Sequence, residues 1–282
     1  MNTLLKRIIF ALLAIPLFIF LIWDGGILFF ILILVLNFLM IKELISLSGV
    51  IITSLQKILI HIFTAIQFFV FSPSPISNKP YYSIVIAIIS LVNIIYFTKS
   101  LFDGKQIKTN NPALLAFSYI TMPLIMLMWL RHSYFPILGE QSADVMFDGV
   151  GHFLIFAVFV ALWLGDSAAY FVGRAIGKRK LSPKVSPNKT WEGAIANFLF
   201  SVFGFWIVIF SFVENFPLWI AIVCGASIGV FGQIGDLCES KLKRQVGAKD
   251  SSNIFPGHGG ALDRFDSFLF ALPIVYIILS FI

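Results

Sequence analysis

Charged residues are scarce in this sequence. Asp, Glu, Lys and Arg together make up 12% of the 282 residues, whereas about 25% is usual in soluble domains. Hydrophobic residues reach 59%, so the composition excludes a water-soluble fold and indicates that the membrane is the solvent. Cysteine is scarce as well. Cys224 and Cys238 have neither the spacing of metal ligands nor the density of a disulfide framework, so they indicate no chemistry of their own.

Several motifs that would place the chain in other classes are absent. The sequence contains no G-x-G-x-x-G and no Gly-Lys-Ser/Thr that opens a helix, which excludes the soluble types of nucleotide-binding fold. The first apolar run, from Ile8 to Trp23, ends without a small-x-small cleavage site, and we interpret it as a retained span. No internal repeat is present, and nucleic acid is not an expected partner.

Long apolar runs are what the sequence does contain. A bilayer core of about 30 Å needs roughly 20 apolar residues, and runs near this length recur along the whole chain. Because no even ten-residue alternation indicates a β-barrel, we predict an all-α polytopic integral membrane protein. Its nine expected transmembrane helices are 8–23, 27–41, 58–72, 81–98, 112–130, 150–172, 193–213, 217–236 and 267–282, of which 27–41 is the weakest.

The distribution of positive charge predicts the orientation. Lys and Arg collect in cytoplasmic loops, and with a cytoplasmic N-terminus all of the 20 Lys and Arg residues except Lys79 and Arg131 fall inside. The C-terminus is then expected outside. Residues 1–149 form an N-terminal region of about five spans. Residues 150–282 form a second region with two cytosolic polar loops, 173–192 and 237–266.

Two aspartates lie at the ends of predicted spans. Acidic residues at membrane depth are costly and usually face the bundle interior with a functional role, so Asp166 and Asp236 are expected to point inward. Each lies on a helix face of small residues, which allows close helix packing. Alternatively, the glycines only tighten packing, within one bundle or in a homodimer, and each aspartate caps a helix or pairs with a lysine. The two faces are Gly225, Gly229, Gly232 with Asp236, and Asp166 with Ala169, Gly173, Gly177.

The segment from Asp236 to Asp266 interleaves acidic and basic residues. Continuing the helix beyond Asp236 places Ser240, Lys243 and Arg244 on the same face. A glycine-rich stretch follows, in which backbone N–H groups can approach a ligand. Carboxylates hold Mg²⁺ while Lys and Arg neutralise phosphates, so the pattern favours a magnesium nucleotide. A membrane-proximal loop whose cations touch lipid headgroups is the alternative, but it leaves the aspartates unexplained. The remaining residues are Lys249, Asp250, Gly257, His258, Gly259, Gly260, Asp263, Arg264 and Asp266.

Two further features leave alternatives open. His258 is interpreted as a general base, a phosphate donor or a residue that packs within its loop. In the loop 173–192, Ser186-Pro187-Asn188 predicts the start of a helix, whose N-terminus would favour an anion. The lysines and arginines of this loop are equally well explained by the rule that places positive charge inside.

The segment SKLKRQVGAKDSSNIFPGHGGALDRFD, Ser240 to Asp266, resembles the signature of phosphatidate cytidylyltransferases, also called CDP-diglyceride synthetases. The upstream segment GDSAAYFVGRAIGKRKLSPKVSPNKTWEG, Gly165 to Gly193, resembles a second block shared by that family. Two residues depart from the pattern. Ala261 stands where a bulkier aliphatic residue is usual, and Asn197 stands where glycine is expected.

The resemblance implies an enzyme of phospholipid biosynthesis in the cell inner membrane. Members of the family join CTP and phosphatidate to give CDP-diacylglycerol and pyrophosphate in a polar cavity open to the cytosol. They use Mg²⁺ and, in some members, a second, monovalent cation. The expected partners are therefore CTP, phosphatidate and membrane lipids. A strong base is dispensable, because a phosphate monoester with a second pKa near 6 is already a nucleophile at pH 7.

The roles that follow are a hypothesis for residues matching the two blocks. Asp236 and Asp263 hold the metal, and Asp166 and Asp266 support it or bind the second cation. The basic residues that meet the triphosphate and the lipid phosphate are Lys243, Arg244, Lys249 and Arg264. The residues assigned to substrate contacts are Ser186, Lys189 and Trp191 on the lipid or cytidine side, Ser240, and His258 with Gly257, Gly259 and Gly260 near the nucleotide phosphates.

Two other functions are weighed against this one. A CTP-dependent lipid kinase of the dolichol or phytol kinase type would transfer the γ-phosphate to an alcohol, and such an acceptor needs a base. A transporter would predict inverted repeats and polar groups near the bilayer midplane. A CDP-alcohol phosphotransferase is disfavoured, because its Asp-Gly-x-x-Ala-Arg core is absent.

Overall fold

The computed structural model describes residues 3–71, 80–103, 111–132, 150–255 and 259–280. Helices dominate this part of the chain, and a single π-helical stretch, Ala116–Thr121, interrupts α5. The helices are α1 Thr3–Asp24, α2 Gly26–Leu47, α3 Ser54–Phe71, α4 Pro80–Phe102, α5 Pro112–His132, α6 Gly151–Ile176, α7 Trp191–Phe212, α8 Leu218–Gln245 and α9 Leu262–Ser280.

The helices are those of a multi-pass membrane protein. Among the described residues, α2, α3, α5, α6, α7 and α8 are each long and apolar enough to cross a membrane. Shorter apolar stretches, Leu12–Asp24 and Ile88–Phe102, lie in α1 and α4. The run 27–41, the weakest by sequence, lies in α2, which has the highest mean hydropathy of the six, 2.5, and continues to Leu47.

One small hairpin departs from the all-helical prediction. Strands β1 Lys180–Ser182 and β2 Ser186–Thr190 pair antiparallel, with Thr190 opposite Lys180. The predicted helix start at Ser186-Pro187-Asn188 is therefore wrong, because these residues form β2. A residue before proline is disfavoured in the helical region, which explains the extended backbone at Ser186. Helix α7 begins at Trp191, and the Thr190 side chain caps it by accepting a hydrogen bond from the Gly193 N–H at 3.2 Å.

Helices α6 to α9 pack closely through small residues. A β-carbon at Gly225 would lie 2.6 Å from the Cα of Val202, and one at Gly229 would lie 2.9 Å from the Cα of Phe198. Both contacts are with the backbone of α7, so side chains at these glycines would force α7 and α8 apart. The prediction that this face of α8 packs against protein is confirmed. The contact is within the chain, so this glycine face gives no support to the alternative in which it packs in a homodimer.

Candidate functional site

A polar cavity of about 690 Å³ lies between α6, the hairpin, α7, α8 and the start of α9. It is lined by side chains from both of the sequence blocks that resemble the family, Gly165–Gly193 and Ser240–Asp266, so the fold brings the two blocks together. The acidic residues that line it are Asp166, Asp236, Asp250, Asp263 and Asp266, and the basic residues are Arg174, Lys189, Lys243 and Arg264.

Asp236 joins the two blocks directly. It lies in α8, where its Oδ2 forms an ion pair with Nζ of Lys189 from β2. Its Oδ1 accepts a hydrogen bond from the Ser240 hydroxyl at 3.2 Å, one helical turn further along α8. Ser240, predicted to contact substrate, therefore orients Asp236. The strand conformation of β2 carries Lys189 to the cavity.

Asp166 faces the same cavity from α6. Its Oδ1 accepts a hydrogen bond from Nδ2 of Asn197, a buried residue of α7, at 3.1 Å. Asn197 is one of the two residues that depart from the family pattern, and its contact with Asp166 was not predicted. A β-carbon at Gly165 would lie 3.1 Å from the same Nδ2, so the glycine beside Asp166 allows this approach.

Asp263 lies in the first turn of α9, ahead of the apolar part of the helix, and both of its oxygens are engaged. Nζ of Lys243 lies 2.6 Å from Oδ1, while the Ser251 N–H, the Ser251 hydroxyl and the Gly260 N–H donate to Oδ2 at 2.9, 3.0 and 2.8 Å. Burial opposes its ionisation, but the hydrogen bonds from Lys243 and Gly260 outweigh this effect and lower the pKa of Asp263 to about 2. Asp263 therefore stays ionised at neutral pH.

Lys243 is held between two carboxylates. Besides Asp263, it forms an ion pair with Glu239, which lies one turn earlier in α8 and is fully buried. A buried carboxylate needs a compensating charge, and Lys243 supplies it. Sequence analysis missed Glu239 because the predicted span ends at 236, whereas α8 continues to Gln245 and buries Glu239 one turn before Lys243.

The aspartates fit a magnesium nucleotide better than an isolated ion. Among the described residues, no three His, Cys, Asp or Glu side chains are close enough together to hold a metal ion by themselves. Mg²⁺ is commonly held by one or two carboxylates, and substrate phosphates and water complete its shell. Asp236 accepts only two contacts and lines the cavity with Asp166 and Asp266, so these residues suit the ion. Asp263 would have to release Lys243 to join them.

Several predicted site residues do not line the cavity. Arg244 and Lys249 are exposed, and Nη1 of Arg244 donates to the Ala248 carbonyl at 3.0 Å. Trp191 is 54% exposed at the start of α7, and Ser186 lies in β2 at the far end of its pairing. Gly257 and His258 lie outside the described residues.

Gly259 and Gly260 shape the loop before α9. Gly259 has a φ of +84°, and a β-carbon there would lie 2.6 Å from Oδ2 of Asp263. A β-carbon at Gly260 would overlap the Ser251 hydroxyl and the carboxylate of Glu43, a residue of α2. The Gly260 N–H, predicted to approach phosphate, is donated to Asp263 instead. These glycines therefore serve the close packing of carboxylates around the loop.

Comparison with known proteins gives a consistent result. The profile described as the cytidylyltransferase family matches residues 5–282. The phosphatidate cytidylyltransferase of Staphylococcus haemolyticus is 46% identical over 132 residues, which are 47% of this chain and 50% of that protein. The Bacillus subtilis protein of the same name is 47% identical over 135 residues, 47% of this chain and 49% of that protein.

A longer match covers more of both chains. The phosphatidate cytidylyltransferase of Staphylococcus aureus strain COL is 38% identical over 179 residues, which are 59% of this chain and 68% of that protein. In the two alignments above, the chain spans about half the length of the relatives it matches.

Proposed function

Because the chain belongs to the cytidylyltransferase family, we propose that it is a phosphatidate cytidylyltransferase, which converts CTP and phosphatidate to CDP-diacylglycerol and pyrophosphate. The observation that carries the proposal is the cavity in which Asp166, Asp236 and Asp266 lie with Lys189 and Arg264. Carboxylates for a cation and cations for phosphates are both needed to bind a magnesium nucleotide beside an anionic lipid.

The reaction is an in-line displacement at the α-phosphorus of CTP. An oxygen of the phosphatidate phosphate forms the new bond to this phosphorus, the bond from the α-phosphorus to the bridging oxygen breaks, and pyrophosphate leaves with the electron pair. The attacking phosphate is largely a dianion at pH 7, so no strong base has to remove a proton. The protein has to position the two substrates and neutralise their charge.

Asp236 is the residue best suited to hold Mg²⁺, with Asp166 and Asp266 as supporting carboxylates or as ligands of a second, monovalent cation. Asp263 is also proposed as a ligand, and it would have to release its contact with Lys243 in order to bind the ion. When bound, Mg²⁺ supplies neutralisation of the phosphate oxygens around the α-phosphorus.

The basic residues divide by their accessibility. Lys189 and Arg264 line the cavity and would meet the triphosphate, and Lys243 contributes charge from between its two carboxylates. Arg244 and Lys249, which are exposed, would meet the phosphates of the lipid at the cavity rim. Trp191, also exposed, is assigned to the lipid side with Ser186. Gly257 and His258 keep their predicted place near the nucleotide phosphates.

The proposed arrangement is nine spans in the cell inner membrane, with the N-terminus and the cavity in the cytosol and the C-terminus outside. Contacts between distant helix ends support it. Nζ of Lys241 donates to the carbonyl of Ser100, and both residues belong to ends assigned to the cytosolic side. Arg131 donates to the carbonyl of Trp23 at 3.0 Å, and both residues belong to ends assigned to the outside.

The test uses purified protein with phosphatidate, Mg²⁺ and CTP labelled with ³²P at either the α or the γ position. The proposal predicts that label from the α position enters the lipid and that label from the γ position leaves as pyrophosphate. Label from the γ position in the lipid would overturn the proposal and favour the lipid kinase. If neither the α label nor the γ label enters the lipid, both enzyme functions are contradicted and the transporter is the remaining alternative.

A further inference from the structure

Glu43 connects the N-terminal half of the chain to the cavity loop. It lies near the end of α2 and is 2% exposed. Four hydrogen bonds reach its carboxylate from residues more than 200 positions away in the sequence. The donors are the Ser252 hydroxyl at 2.6 Å, the Ala261 N–H at 2.9 Å, the Ser251 hydroxyl at 2.8 Å and the Leu262 N–H at 2.7 Å.

Two of these donors belong to the start of α9. The first N–H groups of a helix have no partner within the helix, and a negative charge near them is favourable. Glu43 satisfies the N–H groups of Ala261 and Leu262 from another helix. The start of α9 is therefore fixed against α2, and Asp263 and Arg264 follow immediately.

One of the other two donors, the Ser251 hydroxyl, also connects Glu43 to Asp263. The Ser251 hydroxyl lies within hydrogen-bonding distance of both carboxylates, 2.8 Å from Oε2 of Glu43 and 3.0 Å from Oδ2 of Asp263. The backbone at Gly260 fits between them because it has no side chain. Asp263 in turn holds Lys243. A continuous set of contacts thus runs from α2 through the loop to two residues that line the cavity.

We propose that Glu43 is a positioning residue for cytidylyl transfer. It acts through Ser251, Ser252 and the start of α9, which it holds so that Asp263 and Arg264 face the cavity. This inference rests on the proposed function. It also gives the N-terminal helices a role in the reaction beyond spanning the membrane.

The test compares Glu43→Gln, Glu43→Asp and Ser252→Ala with the control Glu214→Gln, the same chemical change at an exposed residue between α7 and α8. Glutamine has one acceptor oxygen, and its amide group would face N–H donors. We expect kcat, measured as α-label transfer per CTP-binding site, to fall at least tenfold in Glu43→Gln, with KM for phosphatidate within twofold. Glu43→Asp should retain an intermediate kcat, and Ser252→Ala should show a smaller loss than Glu43→Gln.

Hydrogen exchange at the Ala261 and Leu262 amides provides a readout independent of activity. We expect faster exchange in Glu43→Gln than in wild type, and no change in Glu214→Gln. A wild-type kcat in Glu43→Gln would overturn the positioning role, and so would an equal loss of kcat in Glu214→Gln. Unchanged exchange would overturn the proposed contact. Wild-type protein that transfers no α-label would overturn the proposed function itself, a result distinct from all of these.

Discussion

The aspartates of the cavity differ in how fully their oxygens are used. Asp236 accepts from Lys189 and Ser240, whereas Asp263 accepts four hydrogen bonds from three residues. A carboxylate with free acceptor positions can bind a cation without rearrangement. One that is fully engaged must first lose a partner. Asp236 and Asp263 were both predicted to be Mg²⁺ ligands. Binding of the ion would require Asp263, but not Asp236, to give up a hydrogen-bond partner.

Substitution separates the two aspartates. Asp236→Asn should raise the Mg²⁺ concentration for half-maximal α-label transfer by roughly 10- to 100-fold, because a neutral amide is a poor ligand for Mg²⁺. Asp263→Asn should lower activity by a similar factor across the whole magnesium titration, because it also breaks the ion pair with Lys243. Asp103→Asn, at an exposed residue after α4, is the control. Wild-type activity of Asp263→Asn at every Mg²⁺ concentration would contradict its assigned role.

Asn197 is expected to orient Asp166. Its amide nitrogen donates to Oδ1 of Asp166 at 3.1 Å, and a single hydrogen bond of this kind is worth about 1 kcal/mol, or roughly fivefold. Asn197→Ala should therefore lower kcat/KM for CTP about fivefold. Ser211→Ala, at an exposed residue of the same helix, should have no effect. Equal activity in the two variants would exclude a role for Asn197 in the cavity.

Among the secondary-structure elements, local sequence patterns predicted the helices but not the hairpin of β1 and β2. Long apolar runs predict spans because the bilayer fixes their length. The signals of loop 173–192 were misread, since Ser186-Pro187-Asn188 is also compatible with a strand before a helix. The strand depends on pairing with β1 and on the hydrogen bond from the Trp191 N–H to the Arg179 carbonyl, which no local pattern predicts.

The cap of α7 links local stability to the cavity. Thr190→Ala removes the acceptor of the Gly193 N–H, and loss of such a cap costs about 1 kcal/mol. Because Lys189 precedes this cap in β2, we expect activity to fall roughly tenfold as Lys189 loses its position. Thermal unfolding in detergent and α-label transfer are the two measurements.

The matched control is a cap far from the cavity. Thr53 and Gln56 exchange hydrogen bonds at the start of α3, so Thr53→Ala removes a comparable cap. It should lower thermal stability by a similar amount and leave activity unchanged. If both variants lose activity in proportion to their stability, Thr190 has no specific role at the cavity.

At the scale of the whole molecule, the sequence predicted which residues are chemically unusual but not which of them meet. Lys189 and Asp236 were both assigned to the site, but the ion pair that brings the two blocks together was not predicted. Glu43 was missed, although it ends an apolar run beside Lys42 just as Asp236 ends another. Its partners lie beyond 200 residues along the chain, and a contact of that separation leaves no periodicity in one sequence.

The proposed membrane topology can be tested at two exposed residues on either side of α8. Glu214 is exposed in the segment between α7 and α8, which the arrangement assigns to the outside, and Arg244 is exposed at the end of α8, which it assigns to the cytosol. Both native cysteines are fully buried, so wild-type protein should give little background labelling.

We therefore expect a membrane-impermeant maleimide to label Glu214→Cys in intact cells and to label Arg244→Cys only after permeabilisation. The physical basis is that the lysines and arginines around Arg244 resist transfer across the membrane. The reverse pattern would invert the proposed orientation and place the cavity outside, where cytosolic CTP could not reach it. Labelling of both variants in intact cells would show that α8, the one span between these positions, does not cross the membrane as assigned.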